Sequence, residues 1–196
     1  LSKSMKLIVR AGAGVDNIDV PAASSRKIPV MNTASANSLA AAEQTIALLF
    51  AMFRQIPQAS ASLKSGKWDR ASFKGFEVTG KTLGIIGLGN IGKLVAEKAL
   101  GLGMNVRAFD PVIKSSSQLQ APLDQYGHAI KILATPDEVI TEADVVTLHI
   151  PKTSETANFI NSSRIAKMKK SSFIINCARG GVVDEKAVLK ALDEGH

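Results

Sequence analysis

The glycine-rich segment Gly87-Leu-Gly-Asn-Ile-Gly92 constrains the fold most, because of what stands on either side of it. An apolar run at residues 83–87 leads into it and is typical of a buried strand. An amphipathic segment at residues 90–102 follows and is typical of a helix. A second strand is predicted at residues 105–109, and it leads to Asp110. This order predicts a unit of strand, tight turn, helix and strand, the arrangement that holds a dinucleotide.

Each glycine in this segment has a predicted purpose. Gly87 permits the tight turn, Gly89 lets the backbone approach a diphosphate, and Gly92 lets the helix pack close to the sheet. A helix that begins near Asn90 would offer free N–H groups and a positive dipole end to the phosphates. Asp110 can accept hydrogen bonds from ribose hydroxyls and would repel a 2′-phosphate, which favours NAD over NADP. The competing interpretation is a purely structural turn, with Asp110 only starting a loop.

The chain before this unit has its own pattern. Residues 7–9 and 28–31 are predicted strands on either side of a short helix at residues 20–24. Residues 38–66 have the apolar spacing of a helix, which Pro57 is expected to kink or split.

After Asp110, apolar runs continue to alternate with helical segments. The predicted strands lie at residues 130–133, 144–150 and 172–177, and the predicted helices at residues 136–141, 162–168 and 184–192. Strands that are continuous runs of Val, Ile and Leu between helices are typical of a parallel sheet covered on both faces. We therefore predict an α/β fold with a doubly wound parallel sheet of the Rossmann type.

Composition excludes several classes of partner. The net charge is +7, but the lysines are dispersed and one Trp and one Tyr offer little for base stacking, so no nucleic acid is expected. The apolar stretch at residues 38–53 is short and interrupted by Glu43, which predicts no membrane segment. A single cysteine, Cys177, cannot form an internal disulfide, which suits the cytoplasm. No metal site is predicted.

Two side chains near predicted strand ends are candidates for chemistry. Arg179 lies in Asn176-Cys-Ala-Arg-Gly-Gly181, where its guanidinium could hold the carboxylate of a 2-oxo or 2-hydroxy acid and stabilise charge on the reacting oxygen. A salt bridge to Asp184 explains Arg179 equally well on these residues alone. His149 follows another strand without a carboxylate neighbour in sequence, which favours packing or cofactor contact over catalysis.

Several motifs together resemble the D-isomer-specific 2-hydroxyacid dehydrogenase family, and the resemblance covers nearly the whole chain. It implies hydride transfer between a small 2-hydroxy acid and NAD. Within the family the likeness is closest to members that oxidise D-3-phosphoglycerate to 3-phosphohydroxypyruvate in serine synthesis. The segments that carry the resemblance are residues 10–19, 54–58, 66–68, 87–92, 109–111 and 176–184.

The resemblance also assigns roles to individual positions. Arg179 matches the family's catalytic arginine, which binds the carboxylate and oxygen of the substrate. Ala13 and Ile150 replace a threonine of some relatives, so only backbone or shape contacts carry over there. The implied NAD contacts are Ala13, Gly87, Gly89, Asn90, Ile91, Gly92, Asp110, Ile150, Pro151, Cys177, Ala178 and Arg179. The implied substrate contacts are Arg10, Gly14, Val15, Lys67 and Arg70, the last two for a phosphate.

The same resemblance divides the chain and implies a partner. Residues 1–33 match the tail of a substrate domain, and residues 34–196 match an NAD domain cut before its last strands. The segment at residues 40–75 resembles a homodimerisation arm. The family's acid/base histidine and its glutamate would lie beyond residue 196, so this chain is expected to bind NAD with little turnover.

Two other branches of the family remain open. Glyoxylate and hydroxypyruvate reductases share the site, although Asp110 disfavours those that use NADP. The NAD-regulated co-repressors would need a peptide groove in the first domain.

Overall fold

The computed structural model of the protein describes residues 4–119, 123 and 129–196. The chain divides into two compact units, Leu1–Ala41 and Ala42–His196. The assignment of residues 1–33 to a substrate domain stays a prediction. In the described residues no helix is both long and apolar enough to cross a membrane.

The first unit is a small parallel β-α-β arrangement. Strand β1 (Ile8–Arg10) pairs in parallel with β2 (Val30–Asn32), and helix α1 (Val20–Ser25) connects them. Asp19 caps α1, because its side chain accepts a hydrogen bond from Ala22 N at 2.9 Å. These elements lie within two residues of the predicted ones.

The predicted long helix is split in two. Helix α2 (Ser38–Phe53) ends before the proline, and α3 (Ile56–Lys64) begins with Pro57 in its first turn. Gln55 between them adopts a left-handed conformation with φ of 51°, and its side-chain amide donates to Lys74 O at 3.0 Å. Proline is tolerated in a first helical turn, where its missing N–H has no intrahelical partner. The prediction that Pro57 interrupts the helix is confirmed.

A five-stranded parallel sheet forms the centre of the second unit. Its strands are β3 (Thr82–Ile86), β4 (Asn105–Phe109), β5 (Ile130–Ile132), β6 (Val145–Leu148) and β7 (Phe173–Asn176), in the spatial order β5-β4-β3-β6-β7. The chain builds outward from β3 in one direction and then returns to its other side with β6. This reversal is the switch point at which open parallel sheets bind ligands, outside the carboxyl ends of the strands.

Helices cover both faces of the sheet, as predicted. The remaining helices are α4 (Asn90–Gly101), α5 (Pro136–Glu142), α6 (Ser162–Ile165) and α7 (Glu185–Asp193), with a 3-10 turn at Ser116–Gln118. One apolar cluster joins Leu83 and Ile85 to α4 residues such as Val95. A second apolar cluster contains Ile86 and Val146 and lies on the opposite face of the sheet. All four residues of β6 are buried, and three of them, Val145, Val146 and Leu148, are apolar, as is typical of a strand covered on both faces.

Candidate functional site

Two glycines of the turn after β3 are required by the fold itself. Gly87 has φ of 97°, and a Cβ atom there would lie 2.6 Å from His149 O. A Cβ atom on Gly92 would lie 2.0 Å from Gly87 O. Real Cβ atoms do not approach a backbone oxygen this closely. A side chain at Gly87 would push the turn away from the backbone after β6, and a side chain at Gly92 would push α4 away from the turn.

Gly89 differs from these two, because the space beside it is open. It is the N-cap of α4, with φ of −69° and no side chain to cap the helix. An added Cβ atom would meet nothing within 4 Å. The first N–H groups of a helix have no intrahelical acceptor, and the helix dipole favours an anion there. The geometry therefore leaves an uncapped helix start, with free access for a phosphate.

The carboxylate of Asp110 lies beside this turn, immediately after β4. Its Oδ2 atom accepts a hydrogen bond from Leu88 N at 2.8 Å. Its Oδ1 atom accepts from Val112 N at 2.9 Å and from Ile113 N at 3.3 Å. The sequence indicated a ligand contact for Asp110 but gave no sign of these backbone contacts, because they depend on how β3 and β4 pair.

His149 follows β6 at the same edge of the sheet. Its Nε2 atom lies 3.1 Å from Thr147 Oγ1, and its buried Nδ1 atom has no hydrogen-bond partner among the described residues. Burial lowers the pKa of His149 from 6.5 to about 4, so the imidazole is neutral near pH 7. A base with so low a pKa is poorly matched to proton transfer at that pH. Packing or cofactor contact stays the prediction for His149.

Arg179 lies in a loop that is held in place by hydrogen bonds among its own residues. The Asn176 side chain accepts a hydrogen bond from Ala178 N at 3.1 Å and donates one to Arg179 O at 2.8 Å. The half-buried guanidinium donates to Ala178 O at 2.8 Å. A Cβ atom on Gly180 would meet nothing within 4 Å. The sequence analysis did not predict that Asn176 holds this loop, although Asn176 belongs to the same motif as Arg179.

The loops that follow β6 and β7 are joined by backbone hydrogen bonds. Asn158 N donates to Gly181 O at 2.8 Å, and Ile160 N donates to Val182 O at 3.1 Å. Asp184 then caps α7, as its side chain accepts from Lys186 N and Ala187 N. The carboxyl edge thereby brings together two predicted groups of NAD contacts, which are Ile150 and Pro151 after β6, and Cys177, Ala178 and Arg179 after β7.

Lys67 and Arg70 lie in a different part of the second unit. With Arg54 and Trp68 they line a surface depression of about 460 Å³ beside α3. Asp69 is the carboxylate in the lining, and its hydrogen bonds with Ser72 hold its pKa below the usual value. Three cations against one anion make this depression suitable for a phosphate.

The other predicted substrate contacts lie in the first unit. Arg10 Nη1 donates to Asn17 Oδ1 at 2.7 Å, and Asn32 Nδ2 donates to Ala13 O at 2.7 Å. These contacts hold the loop that contains Gly14 and Val15. The described residues contain no group of three side chains suited to a metal ion.

A family comparison agrees with this geometry. The family model described as "D-isomer specific 2-hydroxyacid dehydrogenase, NAD binding domain" matches residues 46–196. These residues include the glycine turn, Asp110 and the loop of Arg179.

Curated relatives extend the likeness over nearly the whole chain. The chain is 49% identical over 189 residues to a D-3-phosphoglycerate dehydrogenase of Synechocystis sp.. It is 47% identical over 194 residues to a D-3-phosphoglycerate dehydrogenase of Methanocaldococcus jannaschii. These matches cover 96% and 99% of this chain but 33% and 36% of the two relatives. The chain thus spans about a third of the length of these relatives.

A solved structure shows the same fold with a bound cofactor. The chain is similar to D-lactate dehydrogenase from Aquifex aeolicus, complexed with NAD and lactic acid, with a TM-score of 0.84 and 32% identity. The superposition covers 97% of this chain and 55% of that one.

Proposed function

Because the chain belongs to the D-isomer specific 2-hydroxyacid dehydrogenase family and carries its NAD-binding domain, we propose that it is the cofactor-binding part of a phosphoglycerate dehydrogenase. Such an enzyme oxidises D-3-phosphoglycerate to 3-phosphohydroxypyruvate in serine synthesis, in the cytoplasm. The observation that carries the proposal is the turn at residues 87–92, where Gly89 leaves the start of α4 open although the fold does not require a glycine there.

NAD supplies the hydride acceptor, and the chain supplies its binding surface. We assign the diphosphate to the N–H groups of Asn90, Ile91 and Gly92, and the adenosine ribose to Asp110. The nicotinamide ring of NAD would then lie near the carboxyl ends of β6 and β7. The residues of the second unit that would line it there are Ile150, Pro151, Cys177, Ala178 and Arg179.

Arg179 is the proposed catalytic residue. Its guanidinium would bind the substrate carboxylate and stabilise negative charge on the C2 oxygen as the hydride leaves. The hydroxyl proton needs a separate acceptor, and the low pKa of His149 makes that side chain unsuitable. We therefore propose that proton transfer belongs to the histidine and glutamate that the family resemblance implies.

The remaining assignments concern the phosphate and a second subunit. We propose that Lys67 and Arg70 contact the substrate phosphate, together with Arg54 in the same depression. Arg10, Gly14 and Val15 are the proposed contacts with the rest of the substrate. The arm at residues 40–75 exposes large apolar side chains, among them Trp68 at 77% and Leu63 at 57%. Covering them in a homodimer would stabilise the assembly.

A calorimetric titration tests the cofactor assignment on the chain itself. We expect NAD to bind at least about tenfold more tightly than NADP, because Asp110 would repel the 2′-phosphate. Tighter binding of NADP would show that Asp110 is assigned wrongly. The chain alone should form almost no NADH from D-3-phosphoglycerate, and robust turnover would contradict the assignment of proton transfer.

A chimera tests the substrate. This chain would replace the matching third of the Synechocystis relative, and activity would be measured with D-3-phosphoglycerate, glyoxylate and hydroxypyruvate. Lys67→Ala together with Arg70→Ala should raise KM for phosphoglycerate by about tenfold and leave KM for NAD unchanged. The matched control is Lys190→Ala in α7. Equal KM values in both variants would remove Lys67 and Arg70 from the site, and preference for glyoxylate would favour the reductase branch.

A further inference from the structure

The Asp110 carboxylate is engaged by this chain's own backbone. Leu88 N donates to Oδ2 at 2.8 Å, whereas Val112 N and Ile113 N donate to Oδ1 at 2.9 and 3.3 Å. Leu88 is the residue between the first two glycines of the turn after β3. The carboxylate therefore joins the end of β4 to the turn that holds the start of α4.

The capacity of the carboxylate limits what else it can bind. An ionised carboxylate offers about four acceptor positions. Backbone donors occupy three of them, which leaves roughly one position for a ribose hydroxyl. A carboxylate that served only the ribose would not need to be held by three amides.

The Leu88 amide depends on this contact. Leu88 is buried, with a relative exposure of 1%. A buried N–H without an acceptor is unfavourable, so a turn that lost the Asp110 oxygen would be expected to move until the amide found another partner. Such a movement would displace Gly89 and the start of α4, where the diphosphate is assigned.

We infer that Asp110 is a positioning residue for the glycine turn, in addition to its contact with the adenosine ribose. This inference rests on the proposed NAD site. It predicts that Asp110 contributes to binding the diphosphate even though its carboxylate does not touch it. The ribose contact alone predicts no such contribution.

An NAD analogue that lacks both hydroxyls of the adenosine ribose separates the two roles. The test compares binding of NAD and of this analogue to the wild-type chain, to Asp110→Asn and to the control Asp193→Asn, in which an exposed carboxylate of α7 is changed. Asparagine replaces one acceptor oxygen with a donor, so it cannot satisfy Leu88 N and the Oδ1 donors at once. We expect Asp110→Asn to bind the analogue at least about tenfold more weakly than wild type, and Asp193→Asn to match wild type.

The outcomes distinguish this inference from the function on which it rests. If wild type binds neither NAD nor the analogue, the proposed NAD site is wrong. If wild type binds both, and Asp110→Asn weakens NAD but leaves the affinity for the analogue unchanged, Asp110 serves only the ribose and the positioning role is wrong. Weakening of both ligands supports the positioning role.

Hydrogen exchange tests the same contact without a ligand. In Asp110→Ala, which removes both carboxylate oxygens, the Leu88 amide should exchange at least about tenfold faster than in wild type, because its acceptor is lost. The Ile85 amide, in the central strand β3, should exchange at the wild-type rate if the variant is folded. Unchanged exchange at Leu88 alongside unchanged Ile85 would overturn the inference, and faster exchange at Leu88 alone would support it.

Discussion

Two loops at the carboxyl edge of the sheet are rich in glycine, and they are built differently. The nucleotide turn, residues 87–92, contains Gly87 and Gly92, where any Cβ atom would collide with the backbone. It also contains Gly89, where the space is empty. The arginine loop, residues 176–181, is held by the Asn176 side chain, and Gly180 has open space beside it.

The difference separates glycines that the fold requires from glycines that leave space in which a ligand could bind. A backbone collision explains Gly87 and Gly92 without any cofactor. No contact within the described residues explains Gly89 or Gly180, neither of which has a positive φ. Both lie beside the groups that the proposed function assigns to anions, which are the start of α4 and the guanidinium of Arg179.

The largest expected effect comes from adding a methyl group where the fold requires glycine. Gly92→Ala places a Cβ atom 2.0 Å from Gly87 O and should lower the free energy of unfolding by about 3 kcal/mol or more, with loss of NAD binding. Gly101→Ala is the control in the same helix, with nothing within 4 Å of its Cβ position. It should be neutral or stabilising by up to about 1 kcal/mol. Denaturant unfolding measures both, and equal stabilities would show that α4 packs less tightly than described.

The second effect is a pH dependence of stability that arises from the buried imidazole of His149, between the two loops. The unfolded chain binds a proton at His149 near pH 6.5, whereas the folded chain does so only near pH 4. Between these pH values the unfolded state therefore binds more protons than the folded state. The contribution of His149 to the free energy of unfolding is thus complete above pH 6.5 and falls as the pH drops toward 4. The total loss is about 3 kcal/mol. In His149→Gln this part of the pH dependence of unfolding should vanish, and an unchanged slope would contradict burial as the cause.

A substitution at Arg179 tests the function of the arginine loop directly. Arg179→Lys keeps the charge but loses the paired donors, so kcat/KM of the chimera should fall by about 10²- to 10³-fold. Affinity for NAD should change by less than about threefold, because the diphosphate is assigned to the other loop. Stopped-flow measurement of NADH formation and a binding titration separate these outcomes. Equal losses of kcat/KM and of NAD affinity would contradict the proposal that the nucleotide turn binds the diphosphate and the arginine loop serves the substrate.

Gly180→Ala should have the smallest effect. The free energy of unfolding should change by less than about 0.5 kcal/mol, since the added methyl group meets no described atom. Activity of the chimera should fall by about tenfold if the methyl group displaces the substrate or the nicotinamide. Gly101→Ala is again the control. Full activity in Gly180→Ala would mean that nothing binds beside this glycine.

The sequence predicted the elements well where a pattern is local. The strand at residues 105–109 and the start of α4 at Asn90 were placed correctly, because a glycine stands shortly before each of them. The predicted strand at residues 144–150 proved shorter, since β6 spans Val145–Leu148. Asp144 at its start is engaged by Thr82 N and by Lys169, contacts between elements that no local pattern reveals.

The candidate site was predictable in its residues but not in its contacts. The motif alone indicated Asp110, whereas its bond to Leu88 N requires β3 and β4 to lie side by side. Tertiary pairing determines that contact, because Leu88 and Asp110 are distant in sequence. The contact of Thr147 with His149 is local, since residues two apart in an extended segment face the same side, and the sequence analysis missed it.

Gly89→Ala tests the central claim most directly, because it adds one methyl group where the fold leaves space and the diphosphate is assigned. A calorimetric titration with NAD, paired with thermal unfolding, is the measurement. We predict an unchanged melting temperature and at least about a tenfold loss of NAD affinity relative to wild type and to Gly101→Ala. Wild-type affinity for NAD in a folded Gly89→Ala variant would contradict the placement of the diphosphate at the start of α4.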